Sequence, residues 1–201
     1  MAASDQSVEA LTNDPHFTEY TTPDERIGVL AAIATLALGE VFFPGVTVWF
    51  YEQATTDLVG LFLKSLPEIL FLIGMVAVHE CIHYGAGWMQ GHSPQFGVRW
   101  MDFFWGLKEP APYVVTLEEY ISRGENITVL IAPLVIIDAI AVVVFLLSPS
   151  PTVSHYAALV LVVNTGSSMQ DFYNVVRILG MPAETEYINV EQGDLRTFYR
   201  R

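Results

Sequence analysis

Val78-His79-Glu80-Cys81-Ile82-His83 closes an apolar run that begins near Leu58, and its reading decides the fold. An α-helix through this stretch projects His79 and His83, four residues apart, from one face, where their imidazoles can grip a single metal ion. Glu80 lies beside them and can hold a water molecule against that ion. The H-E-x-x-H order thus points to zinc-dependent hydrolysis, with Zn²⁺ as the cofactor and Glu80 as the expected general base. The surrounding run is long enough to cross a bilayer, so the motif is expected on a membrane span.

Working outward, three more stretches read as spans. The first covers residues 27–50, interrupted by Glu40 and Pro44, with Trp49 and Tyr51 at an interface. The second, 58–88, carries the motif; the third covers 127–147 with Pro133 and Asp138; the fourth covers 156–179. In the last, Asn164-Thr165-Gly166-Ser167-Ser168-Met169-Gln170-Asp171 is too polar to face lipid and must point into a bundle. The expected fold class is an all-α integral membrane bundle of about four transmembrane helices. A short irregular, β-like cytoplasmic segment, residues 91–126, lies between spans two and three. It is rich in aromatics (Phe96, Trp100, Phe103, Phe104, Trp105, Tyr113) and broken by Pro94, Gly97, Gly106, Pro110 and Pro112, and residues 118–123 are expected to form an interfacial helix. Residues 1–25, acidic without Lys or Arg, read as a mobile tail, 26–180 as the membrane domain and 181–201 as a cytoplasmic tail.

Composition agrees with a membrane protein. Of the 201 residues 52% are apolar and only 15% charged, against about a quarter charged in soluble domains. Mean hydropathy is +0.41. A net charge of −13 argues against nucleic acid as a partner and suits the high-salt cytoplasm of a halophilic archaeon. A single cysteine, Cys81, excludes an internal disulfide. With four spans both termini share a side, and Arg26, Arg99, Lys108, Arg123, Arg177, Arg196, Arg200 and Arg201 all fall there. The excess of Lys and Arg on cytoplasmic loops therefore places both termini and the opening of the site in the cytoplasm.

Two histidines do not complete a catalytic zinc site, which has three protein ligands and an open position. His92 is off the helical register of the motif, and Glu109, Glu118, Glu119 and Glu125 lie in or near a loop. Depth favours Asp171 on the fourth span: it lies about 22 Å along its helix and His79 about 21 Å along the second, counted from the same side. The same carboxylate could instead be an internally hydrogen-bonded bundle residue, the role expected of Asp138.

Taken together, His79-Glu80-Cys81-Ile82-His83, the turn at Gly91-His92-Ser93-Pro94-Gln95-Phe96-Gly97, Ala132-Pro133 and Gly166-Ser167-Ser168-Met169-Gln170-Asp171 resemble the zincin peptidases of the DUF3267 family. More distantly the pattern is similar to the site-2 class of intramembrane metalloproteases, whose third ligand is an aspartate on a later span, although Phe172 stands where that class has glycine. The resemblance implies a Zn²⁺ site of His79, His83 and Asp171 in the lipid bilayer. It further implies a membrane or membrane-proximal protein substrate that unwinds before cleavage. In zinc chemistry the ion or another donor stabilises the oxyanion, and Asn164 and Asn174 are candidates to help. Two rival readings keep the membrane and drop the hydrolysis: a zinc-stabilised scaffold, and a small transporter using Glu40, Glu68, Asp138 and Asp171 as a polar path.

Overall fold

The computed structural model describes residues 8–102 and 108–201. Of the residues singled out above, Phe103, Phe104, Trp105 and Gly106 lie outside these, as does the start of the acidic segment. The chain order is α1 (Val8–Asn13), β1 (Thr18–Tyr20), α2 (Asp24–Phe42), α3 (Val46–Thr56), α4 (Leu58–Lys64), α5 (Leu66–Met89), β2 (Pro94–Asp102), β3 (Lys108–Thr116), β4 (Tyr120–Ser122), α6 (Arg123–Leu147), α7 (Pro151–Ser167), α8 (Met169–Leu179), β5 (Glu186–Gln192) and β6 (Asp194–Arg200).

This corrects the all-α, four-span expectation in two ways. First, among the described residues α5 and α6 are the single helices long and apolar enough to cross a membrane, and α2 with α3 makes a third if that bent pair counts as one span. The break between α2 and α3 has a local cause. Pro44 has no N–H to donate, Gly45 adopts φ +83°, and the Glu40 carboxylate accepts hydrogen bonds from the N–H groups of Gly45 (2.8 Å) and Thr47 (2.9 Å), capping the new helix. The two helices meet at 109°. Asp57 likewise accepts from Gly60 N (2.8 Å) and caps α4, so α5 begins only at Leu66. The polar stretch read inside a fourth span instead splits it at Ser168 into α7 and α8.

Second, there are two antiparallel sheets. Strand order in the larger is β1-β6-β5-β4, which gathers residues 18–20, 120–122 and 186–200, segments read as tails and as an interfacial helix. Gly193, at φ +86°, makes the turn between β5 and β6. Leu11, Ile188, Val190 and Phe198 form a small core with Val8, Phe17 and Tyr120 against it. Arg196 pairs with Glu19 across β1 and β6, holding the Glu19 carboxyl below its ordinary range, and Arg200 pairs with Glu186. The second sheet is the hairpin β2–β3, in which the Tyr113 ring covers Gly97 so closely that a Cβ there would meet it at 2.3 Å.

The chain divides into two compact units, Pro23–His79 with Pro133–Tyr173, and Met1–Thr22 with Glu80–Ala132 and Asn174–Arg201, the second holding both sheets. In the first, α2 packs on α7 through small residues: Gly166 leaves room for Thr35, and Ala157 and Ala158 are buried. Along α6, by contrast, Val135, Ile136, Ile140, Val143 and Leu146 are exposed, as are Leu70, Ile73 and Val78 on α5. Apolar residues outside and polar ones inside is the arrangement that a lipid solvent favours.

Candidate metal centre

The buried positions of α5 are Met75, His79, His83 and Gly87, a stripe repeating every four residues. Two imidazoles thus occupy positions where a soluble helix would bury aliphatic side chains, and both are only 7% exposed. Polar groups so placed need partners. Nδ1 of His83 lies 2.8 Å from the carbonyl oxygen of Val129 on α6, and Nδ1 of His79 lies 3.0 Å from Oδ1 of Asn164 on α7. Carbonyl oxygens only accept, so in each ring Nδ1 donates, and in the neutral ring that tautomer leaves the lone pair on Nε2.

The Val129 carbonyl is available for a reason written in the sequence. In a helix it would accept from the N–H of residue 133, and residue 133 is proline, inside α6. Pro133 therefore leaves an acceptor within the helix, and His83 uses it. Residue order alone contains this signal, because counting back four residues from the proline finds Val129.

Asp171 lies in the first turn of α8, three residues after the break at Ser168. Its Oδ2 is 3.4 Å from Nε2 of His79. In the neutral ring with its proton on Nδ1, the two atoms that face each other both carry lone pairs, an approach that a cation between them relieves. Ligands about 2.0–2.1 Å from a tetrahedral zinc ion are about 3.3 Å apart, close to the observed separation. One ligand atom from each of His79, His83 and Asp171 lies within 4.8 Å of the others, and among the described residues no other group of His, Cys, Asp and Glu is so arranged. The donor set of two imidazoles and one carboxylate is one that zinc accepts with a fourth position open. Glu80, half-buried, follows His79 on the helix.

A family model described as "Putative zincin peptidase", DUF3267, matches residues 72–185, more than half of the chain. The chain belongs to this family. No curated protein and no solved structure matches it. The match to the zincin family runs from within α5 to just before β5, so it contains the motif, the hairpin, Val129, Pro133 and all of α6 to α8.

The other acids considered from sequence go elsewhere. Glu119 and Glu125 face His92, at 3.1 Å from its Nδ1 and 3.7 Å from its Nε2. Glu125 also forms a capping box with Ser122, accepting from Ser122 N (2.8 Å) while Ser122 Oγ accepts from Glu125 N (3.3 Å). Glu118 is exposed at φ +57°, and the side chain of Glu109 lies outside the described residues. Asn174 accepts from the Tyr20 hydroxyl (3.0 Å), in a different contact from that expected of an oxyanion donor. Asn164, the other candidate donor, has its oxygen turned to His79 and its amide nitrogen to Asp138. Glu40 serves as the cap of α3 rather than as a step in a polar path.

Proposed function

We propose that the chain is a membrane-embedded zinc peptidase that hydrolyses peptide bonds in membrane or membrane-proximal proteins. The observation that carries the reading is the meeting of His79 Nε2 and Asp171 Oδ2 at 3.4 Å, one helical turn from His83, with Glu80 beside them. His79, His83 and Asp171 would hold the ion, which would supply a water of lowered pKa, toward about 7, and a polarised scissile carbonyl. Glu80 would take a proton from the attacking water and deliver it to the leaving amine. An extended substrate segment can add to the hairpin of β2 and β3, where β2 presents Phe96 and Val98 to the outside. Arg123, Arg177, Arg196, Arg200 and Arg201 fall outside the apolar stretches of the sequence, and this excess of cations favours the cytoplasm for the chain termini and for the opening of the site.

Zinc content tests the reading directly. Full-length protein purified in detergent is expected to hold zinc at close to one ion per chain, and protein that takes up none when zinc is supplied would sink it.

The role of Pro133 gives a second expectation with an unusual pair of signs. In Pro133→Ala the restored N–H competes with His83 for the Val129 carbonyl, so zinc affinity falls by about 10-fold, the lower end of the range for outer partners of a ligand. Metal-free protein, meanwhile, gains helix stability, because a proline in a helix interior costs up to about 3 kcal/mol. Chelator competition and thermal unfolding of the same preparation check both halves, and unchanged zinc affinity would remove the role assigned to the proline.

A further inference from the structure

We propose that Asp138 is a positioning residue for the metal centre, setting through Asn164 which ring nitrogen of His79 faces the ion. This rests on the zinc reading above. Three helices supply the parts, with Asp138 on α6, Asn164 and Thr165 on α7 and His79 on α5. Asp138 Oδ1 accepts from Asn164 Nδ2 at 2.9 Å, and its Oδ2 accepts from Thr165 Oγ1 at 2.7 Å.

An amide side chain can present either end to a neighbour. Asn164 is completely buried, so its two ends must be satisfied by protein groups. Its NH₂ and its oxygen are close to the same size, and packing alone does not decide which end meets His79. An ionised carboxylate decides it, because it can only accept: the NH₂ turns to Asp138 and the oxygen to Nδ1 of His79, 3.0 Å away. Nδ1 must then donate, and the lone pair falls on Nε2, the atom opposite Asp171. Were Asn164 reversed, its NH₂ would face Nδ1, the proton would move to Nε2, and His79 would point an N–H into the space between itself and Asp171.

This also accounts for a charge among apolar helices, where an ionisable side chain is costly. A neutral amide at position 138 would fill the same space and bond to Thr165 and Asn164. It could flip as Asn164 can, and would pass the ambiguity on to the ligand. Only an acceptor-only group ends the chain with a fixed direction.

The experiment compares full-length wild type, Asp138→Asn and Asp138→Leu in detergent, each metal-free and after titration with zinc. Competition with a chromophoric chelator reads zinc affinity, and ¹⁵N-histidine NMR of the metal-free protein reads the tautomer of His79, assigned by its loss in His79→Gln. Wild type is expected to show Nδ1–H at His79. Asp138→Leu is expected to populate Nε2–H and to bind zinc about 100-fold more weakly, and Asp138→Asn about 10-fold more weakly with a mixed tautomer. A purely structural role would lower stability and leave the tautomer unchanged, and that result overturns the proposal, as does wild type with Nε2–H at His79. Should Asp138→Leu fail to fold, Asp138→Asn decides alone, and an affinity within about twofold of wild type with an unaltered tautomer counts against the inference. Wild type that binds no zinc removes the reading of the site, whereas wild type that binds zinc beside variants that bind it equally removes only the role of Asp138.

Discussion

Glu80→Gln is expected to keep zinc at the wild-type stoichiometry and to lose hydrolysis by about 10²–10⁴-fold, the range that a positioned general base supplies. The substitution conserves size and removes only the ability to take a proton. Glu80 does not share the buried stripe of Met75, His79, His83 and Gly87, since one residue along a helix is a rotation of about 100°. Its carboxylate is therefore offset from the two imidazoles, as the proposed action on the water rather than on the ion requires. Zinc analysis beside cleavage of a membrane-tethered reporter protein makes the measurement. Wild-type turnover in Glu80→Gln would eliminate the general base, and simultaneous loss of zinc would make Glu80 part of the coordination.

The second large effect is expected at the ligands themselves. Asp171→Ala and His83→Ala should each weaken zinc binding by about two to three powers of ten. Structural zinc sites with four ligands bind with about 10–16 kcal/mol, or about 2.5–4 kcal/mol for each ligand. Asp171→Ala is the more informative variant. His79 and His83 share a helix, so their relation is fixed by the backbone, whereas Asp171 reaches them from α8. If Asp171→Ala binds zinc as tightly as wild type, the carboxylate only accompanies His79 and another group completes the site. If it loses zinc while the protein remains folded by circular dichroism, the carboxylate belongs to the first coordination sphere. His83→Ala calibrates the comparison, because it removes a ligand and leaves the Val129 carbonyl exposed by Pro133 without its imidazole.

Much of the helical half of the molecule was legible from residue order. The apolar runs that became α5 and α6 stood out because a lipid-facing helix has to be apolar over about 20 residues. Residues 27–50 were equally apolar, yet the chain breaks there, since one proline, one left-handed glycine and a carboxylate placed to cap the next helix outweigh composition. The sheet was not legible. β1 and β4 are three residues each, too short for any alternation, and they become strands only by pairing with β6 and β5 from the far end of the chain. The acidic segment before residue 23 and the segment after residue 181 look like solvated tails until that pairing buries Leu11, Ile188, Val190 and Phe198 together.

The metal centre divides along the same line. By itself the sequence determined that His79 and His83 share one face with Glu80 beside them, and that Pro133 leaves the Val129 carbonyl without its helical donor, because each follows from the helical repeat over four residues. Which carboxylate comes to the histidines, and which groups hold their rings, was decided only by tertiary structure. Asp171, Asn164 and Asp138 stand 59 to 92 residues beyond His79 in the chain. Their approach depends on where α7 stops, how α8 restarts after Ser168, and which faces of α6 and α7 carry their few polar side chains. Backbone periodicity fixes neighbours within a turn; the packing of separate helices fixes the rest.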